Sequence, residues 1–334
     1  MKILLVQTSF LGDTILSTPV ISGLHRAFPD AELWLMTTPQ SAELVRRDPL
    51  PAGIITFDKR RTEAGIFGLC KMAVRLRSMG FDRAYALHRS YRTAMLLKLA
   101  CIPVRIGFSD ARLHRLYTEV RPRDLKSHDV LRNLSLIAKE IPLPYQNTDL
   151  RLFPPDRTEI GSHVRNILDA SPNPVVLVPG SVWATKRWHR QGFRDTARHF
   201  IRSGYDVLLV GGPEDREVSA TIASETGAIN MAGETRIDEA MAVLNTARLV
   251  ICNDSMSMHI ACALHVPVVA VFCATTPALG YYPWKNSSIV VEKTGLDCKP
   301  CGRHGGRTCP TGTMACIEGV SVEEVIRAGE RLLR

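Results

Sequence analysis

The sequence predicts an α/β fold with parallel sheets, repeated in two halves. Three observations carry this expectation. Short apolar runs alternate with helical stretches from residue 3 onwards, the pattern of βα units rather than of hairpins. A passage holding Pro142, Pro144, Pro154 and Pro155 interrupts the alternation near the middle, as domain joints do. The alternation then restarts, and its most complete unit runs from Leu249 to Pro277.

In the first half, residues 3–7 (ILLVQ) read as a buried strand and TSFLGD as the turn that leaves it. A helix is expected over 14–28, with Pro19 kinking it or confining its first turn. Strands follow at 32–36 and 54–57, a helix at 65–79, a strand at 83–87, a helix at 92–100 and a strand at 104–107. Helices are expected at 133–140 and 156–169. The second half opens on VVLVPG (175–180), a strand and glycine turn. Helix 190–203, strand 206–210, the turn GGPED (211–215), helix 216–226, a short strand near Ile229 and helix 237–247 come next. Leu249–Cys252 is then a strand, Asn253–Ser255 a capped turn, 259–265 a helix stopped by Pro267, and 268–272 a second strand. An amphipathic helix, 321–333, closes the chain. The repeated pattern implies two Rossmann-like domains facing across a cleft: 1–155, a linker at 156–174, a second domain at 175–320, and the terminal helix at 321–334.

In a βαβ unit the strands are parallel, and ligands sit beyond their carboxyl ends. The polar loops 253–258 and 274–277 fall at that edge of the second half. A helix N-terminus there offers N–H groups and partial positive charge, which suits a diphosphate. The same residues would also serve as plain helix caps.

Composition narrows the class. The 334 residues are 45% hydrophobic and 22% charged, with nine cysteines. No apolar run approaches the ~20 residues that span a bilayer. The first ten residues are too short and too β-like for a signal peptide, so a cytoplasmic enzyme with reduced thiols is expected. The net charge of +9 is concentrated. Residues 59–132 hold 17 Lys and Arg against 6 Asp and Glu, while 133–334 balance at 21 and 21. Such a block fits a polyanionic partner: nucleic acid, an anionic membrane or an acidic glycolipid. Aromatic residues are 6% of the chain and do not interleave with the basic ones, which disfavours stacking on nucleic acid. Cys298, Cys301, Cys309 and Cys316 could form a tetrahedral structural zinc site, although the second pair lacks the usual C-x2-C spacing.

No Walker loop, no G-x-G-x-x-G after a strand and no G-x-S-x-G elbow is present. What remains is a set of polar strand-end loops: TSFLGD (8–13), GSVWATKRW (180–188), GGPEDRE (211–217), NDSMSMH (253–259) and ATTP (274–277). As a set they resemble the bacterial lipopolysaccharide heptosyltransferases of glycosyltransferase family 9. ILLVQTSFLGDTILSTPVISGL resembles the family's N-terminal signature, VPGSVWATKRW its donor loop, and NDSMSMHIACALHVPVVAVFCATTP its Asn-Asp-Ser-Gly-x-x-His signature.

The resemblance implies a GT-B fold and an inverting transfer of L-glycero-D-manno-heptose from ADP-heptose to the lipopolysaccharide inner core, with no required metal. Asp13 falls on the family's catalytic aspartate, the base for the acceptor hydroxyl, and Lys186 on its donor-binding lysine. The donor site would further include Gly12, Ser181, Thr185, Asp254, Ser255, Met256, Ser257, His259 and Thr275, with Glu214 or Asp215 on the ribose. The family has Gly where this chain has Met256, so the local backbone must either keep ordinary dihedrals or be strained. Arg60, Arg61, His88, Arg89, Arg92 and Arg112 are the acceptor candidates, chosen because Arg suits carboxylates and phosphates. An enzyme of this kind would work at the inner membrane surface and would not bind nucleic acid. The alternative is a related transferase with the same donor and another acceptor, as in protein O-heptosylation.

Overall fold

The computed structural model describes residues 1–59, 61–141 and 144–334. The acceptor candidate Arg60, and Pro142 of the proline-rich passage, lie outside the described residues. The chain forms two compact units, Met1–Phe153 and Pro154–Arg334.

Unit 1 contains β1 (Lys2–Gln7), α1 (Leu11–Leu16), α2 (Thr18–Ala27), β2 (Glu32–Thr37), α3 (Pro39–Val45), β3 (Gly53–Thr56), α4 (Gly65–Met79), β4 (Arg83–Ala86), α5 (Tyr91–Leu99), β5 (Val104–Phe108), β6 (Glu119–Arg121) and α6 (Asp129–Ser135). Its sheet runs β3-β2-β1-β4-β5-β6, with every pairing parallel. β1 is central because Ile3, Leu4, Leu5 and Val6 are apolar in sequence and lose all their exposed surface to helices on both faces. The expected helix at 14–28 is two helices. Ser17 ends α1, its hydroxyl bonding back to Thr14 O at 2.7 Å, and Pro19 lies in the first turn of α2, where its missing N–H is tolerated. The helix expected at 133–140 runs instead from Asp129 to Ser135, and the one expected at 156–169 begins only at Ser162.

Unit 2 contains α7 (Ser162–Ala170), β7 (Val175–Val178), α8 (Arg190–Arg202), β8 (Val207–Leu209), α9 (Arg216–Thr226), β9 (Ile229–Asn230), α10 (Ile237–Thr246), β10 (Leu249–Asn253), α11 (Met256–Ala263), β11 (Val268–Phe272), β12 (Ser288–Glu292), α12 (Ala315–Glu318) and α13 (Val322–Leu333). Its parallel sheet runs β12-β11-β10-β7-β8-β9. Counted in chain order within each unit, both sheets have the same strand sequence, 3-2-1-4-5-6, the doubly wound Rossmann order. The strand order reverses between β1 and β4 in unit 1 and between β7 and β10 in unit 2, and crevices open at such points. The two units give the α/β fold class of GT-B enzymes. α13 folds back onto α8, β11 and β12, with Val325 and Ala328 buried in the unit 2 core.

Candidate active site

The strand-end loops of unit 2 converge as the βαβ argument expects. Asn253, read in the sequence as a turn residue, is the last residue of β10 and has no exposed surface. Its side-chain carbonyl accepts from the Trp188 N–H at 2.9 Å, and its amide donates to Pro179 O at 2.8 Å. One buried amide therefore fixes the loop after β7 to the end of β10. Trp188 is anchored again by its indole N–H, which donates to Val320 O at 3.1 Å. Lys186, two residues before this anchor, places Nζ 2.6 Å from Asp254 Oδ2. Thr275, in the loop after β11, donates its hydroxyl to the same oxygen at 2.7 Å. Three loops thus meet in one lysine–aspartate–threonine cluster, largely shielded from water.

Beside the cluster stands the N-terminus of α11. The helix starts at Met256, earlier than the expected His259. Met256 is absent from the residues with positive φ, so this side chain replaces glycine without backbone strain. Ser255 is extended, and no side chain caps the helix. Such a terminus keeps N–H donors for an anion. Ser257 and His259 are buried on the helix behind it.

The Thr185 hydroxyl donates to Gly306 O at 3.1 Å and accepts from the Gly306 N–H at 2.8 Å, while the Thr185 N–H also donates to Gly306 O. Cys301 N–H donates to Ala274 O at 2.8 Å. The Cys-rich segment is therefore stitched to both the loop after β7 and the loop after β11, a contact the sequence did not reveal. Its four cysteines are free thiols. Among the described residues, no three His, Cys, Asp or Glu side chains are gathered to hold a metal ion.

The other donor candidates separate. Asp215 is buried, accepts from the Gly212 N–H at 3.0 Å, and packs against Gly180, where any side chain would collide with its carboxylate. Burial pushes its carboxyl pKa up. It holds the turn, whereas Glu214 beside it is exposed. Ser181 is half-buried, and its carbonyl accepts from Arg187 Nε at 2.7 Å.

In unit 1, Asp13 lies in the first turn of α1 and accepts from the Phe10 N–H at 3.3 Å. Gly12 is helical, with no left-handed backbone. Thr8, just after β1, and His88, just after β4, meet through Oγ1 and Nε2 at 3.2 Å, and Thr93 Oγ1 lies at the same distance from Nε2. Lys59 Nζ donates to Thr8 Oγ1 at 3.2 Å. The His88 ring is half-buried overall, but its Nδ1 edge is enclosed and has no partner among the described residues. Burial, then the charges of Lys59 and Arg123, push its pKa down to about 3. His88 is thus a neutral group. Lys59, which sequence reasoning passed over, supplies the cation at this rim.

Arg92 donates to Lys59 O at 3.4 Å and Gly65 O at 3.0 Å, so it braces the loop before α4. Arg89 pairs with Asp110 at 3.4 Å, and the Arg112 N–H donates to Arg89 O at 3.3 Å. Arg61 and Arg112 have exposed side chains. The structure brings Arg89 and Arg112 together beyond β4 and ties Arg92 to the loop before α4.

Known proteins resemble this chain over most of its length. The chain is 27% identical over 305 residues to lipopolysaccharide heptosyltransferase 2 of Escherichia coli K12, covering 83% of this chain and 84% of that one. A glycosyl transferase family 9 structure from Veillonella parvula superposes with a TM-score of 0.85 at 25% identity, over 99% of this chain and 97% of the other. The E. coli ADP-heptose lipopolysaccharide heptosyltransferase II structure, at 24% identity and a TM-score of 0.81, shares the fold over 100% of this chain and 98% of its own. The family model for glycosyltransferase family 9 (heptosyltransferase) matches residues 69–310, from within α4 into the Cys-rich segment, and the chain therefore belongs to that family.

Proposed function

We propose that this enzyme transfers heptose from ADP-heptose to the inner core of lipopolysaccharide, inverting the anomeric centre. The Lys186–Asp254–Thr275 cluster beside the uncapped N-terminus of α11 is the observation that carries the donor assignment. Lys186 is held by one carboxylate and can turn its ammonium to a diphosphate, where it stabilises the charge that develops as ADP departs. No metal cofactor is needed for that step. Asp254 then meets heptose hydroxyls, and exposed Glu214 takes the ribose in place of the inward-turned Asp215.

Asp13 would act as base toward the acceptor hydroxyl, its carboxylate oriented by the Phe10 N–H. The cationic rim of Lys59, Arg61, Arg89 and Arg112 suits an acceptor bearing carboxylates and phosphates. Among the described residues no helix is long and apolar enough to cross a membrane, and peripheral attachment to the inner membrane fits such an acceptor. Purified enzyme with ADP-heptose should glycosylate a truncated core acceptor and not an acceptor peptide. Transfer to the peptide alone would instead favour protein O-heptosylation.

A further inference from the structure

α4 is amphipathic in an unusual sense. Leu69, Met72, Ala73 and Leu76 bury one side of it in the core of unit 1. The outer side is apolar as well. Ile66 is 57% exposed, Phe67 89% and Val74 69%. These three fall within an arc of about 100° on the helix. Lys71 and Arg75 border the arc on one side, Arg77 lies inside it near the C-terminal end of the helix, and all three are exposed. The helix sequence, GIFGLCKMAVRLRSM, contains no Asp or Glu. An ordinary solvated face of this length would mix charges of both signs and would leave few large apolar groups in water.

The first turn of α4 is fixed beside the candidate acceptor rim. Arg92 ties Gly65 O and Lys59 O together, and Lys59 reaches Thr8 at the end of β1.

From these observations we infer that the outer face of α4 is a membrane-docking surface. Phe67, Ile66 and Val74 enter the headgroup boundary, and Lys71, Arg75 and Arg77 engage anionic lipid. The complement is specific: exposed apolar side chains on a helix whose only charges are cationic match an anionic bilayer surface, where buried apolar area and electrostatic attraction act together. Docking there would bring the acceptor rim to the lipid surface. This deepens the proposed membrane-presented acceptor and rests on it for its purpose, although vesicle binding can be measured without any donor or acceptor.

The test is flotation of the full chain with vesicles of about three parts phosphatidylglycerol to seven parts phosphatidylcholine, against phosphatidylcholine alone. Wild-type protein should float with the anionic vesicles and not with the neutral ones. The double substitution Ile66→Ser, Phe67→Ser should lower partitioning at least about tenfold, since it removes two apolar groups that docking would bury. Lys71→Glu with Arg75→Glu should lower it by a similar factor and flatten its salt dependence. Both variants should keep wild-type melting and wild-type transfer to a delipidated, water-soluble acceptor. No flotation of the wild type, or equal flotation of wild type and Ile66→Ser, Phe67→Ser, would overturn the inference. So would sedimentation showing that the Phe67 change merely converts a dimer to monomers. Absence of transfer with the soluble acceptor would refute the proposed reaction and leave the docking result standing.

Discussion

Replacing Gly305 with alanine should weaken the donor site, whereas the same change at Gly312 should not. Both glycines are left-handed, at φ +73° and +72°. Alanine at either position therefore carries a backbone penalty of about 1–2 kcal/mol. Their surroundings differ. A Cβ at Gly305 would lie 2.9 Å from Thr185 Oγ1 and 3.3 Å from Lys186 Cγ, while one at Gly312 would meet nothing within 4 Å. A shift of Thr185 disturbs its paired bonds to Gly306, each worth about 0.5–1.5 kcal/mol, and carries Lys186 with it. A net loss of about 1.4 kcal/mol corresponds to tenfold weaker binding. Calorimetric titration with ADP should show this loss for Gly305→Ala alone. Thermal melting should show both variants destabilised, Gly305→Ala the more, because it adds the disturbed Thr185–Gly306 bonds to the backbone penalty that both share. Equal ADP affinity in the two variants would refute the claim that the Cys-rich segment holds the donor loop.

Two further outcomes follow from unit 1. Asp13→Asn keeps an oxygen to accept from the Phe10 N–H but cannot take a proton, so turnover should fall about 10²-fold with ADP affinity and melting unchanged; near-normal turnover would remove Asp13 from the base role. His88, with an ordinary value of 6.5 lowered to about 3, gives an acid-side dependence. The unfolded chain takes up this proton at higher pH than the folded one, so the stabilisation is intact above 6.5 and declines as pH falls from there toward 3. Melting of His88→Gln across that range should be less pH-dependent than wild type, and an unchanged profile would contradict the neutral, enclosed imidazole.

Much of the fold was legible because buried parallel strands are continuous apolar runs. Ile3 to Val6, Val175 to Val178 and Val268 to Phe272 are unambiguous on that basis. β6 (Glu119–Arg121) was missed because three residues that include two charges carry no such signal, and β12 because half-buried Ser288–Glu292 lies at a sheet edge. The Lys186–Asp254–Thr275 cluster was readable from its motifs, since all three residues follow strands that end at one edge. The long-range contacts within each unit were not. Thr185 depends on Gly306, 121 residues away, and His88 on Thr8, 80 residues away. Local periodicity records which face a residue presents, and it is silent on which distant loop the topology brings beside it. Which of Glu214 and Asp215 is buried became legible only with the glycines at 180 and 212 in place around Asp215.

The most direct measurement is the initial rate of heptose transfer from ADP-heptose to a truncated inner-core acceptor, for wild type and Lys186→Ala, with the anomeric configuration of the product read by NMR. Wild-type enzyme should add one heptose with inversion, and Lys186→Ala should lose about 10²-fold or more in rate, as expected when a group that stabilises the leaving diphosphate is removed. Retention of configuration, no transfer by the wild type, or a Lys186→Ala rate equal to wild type would contradict the assignment of this site.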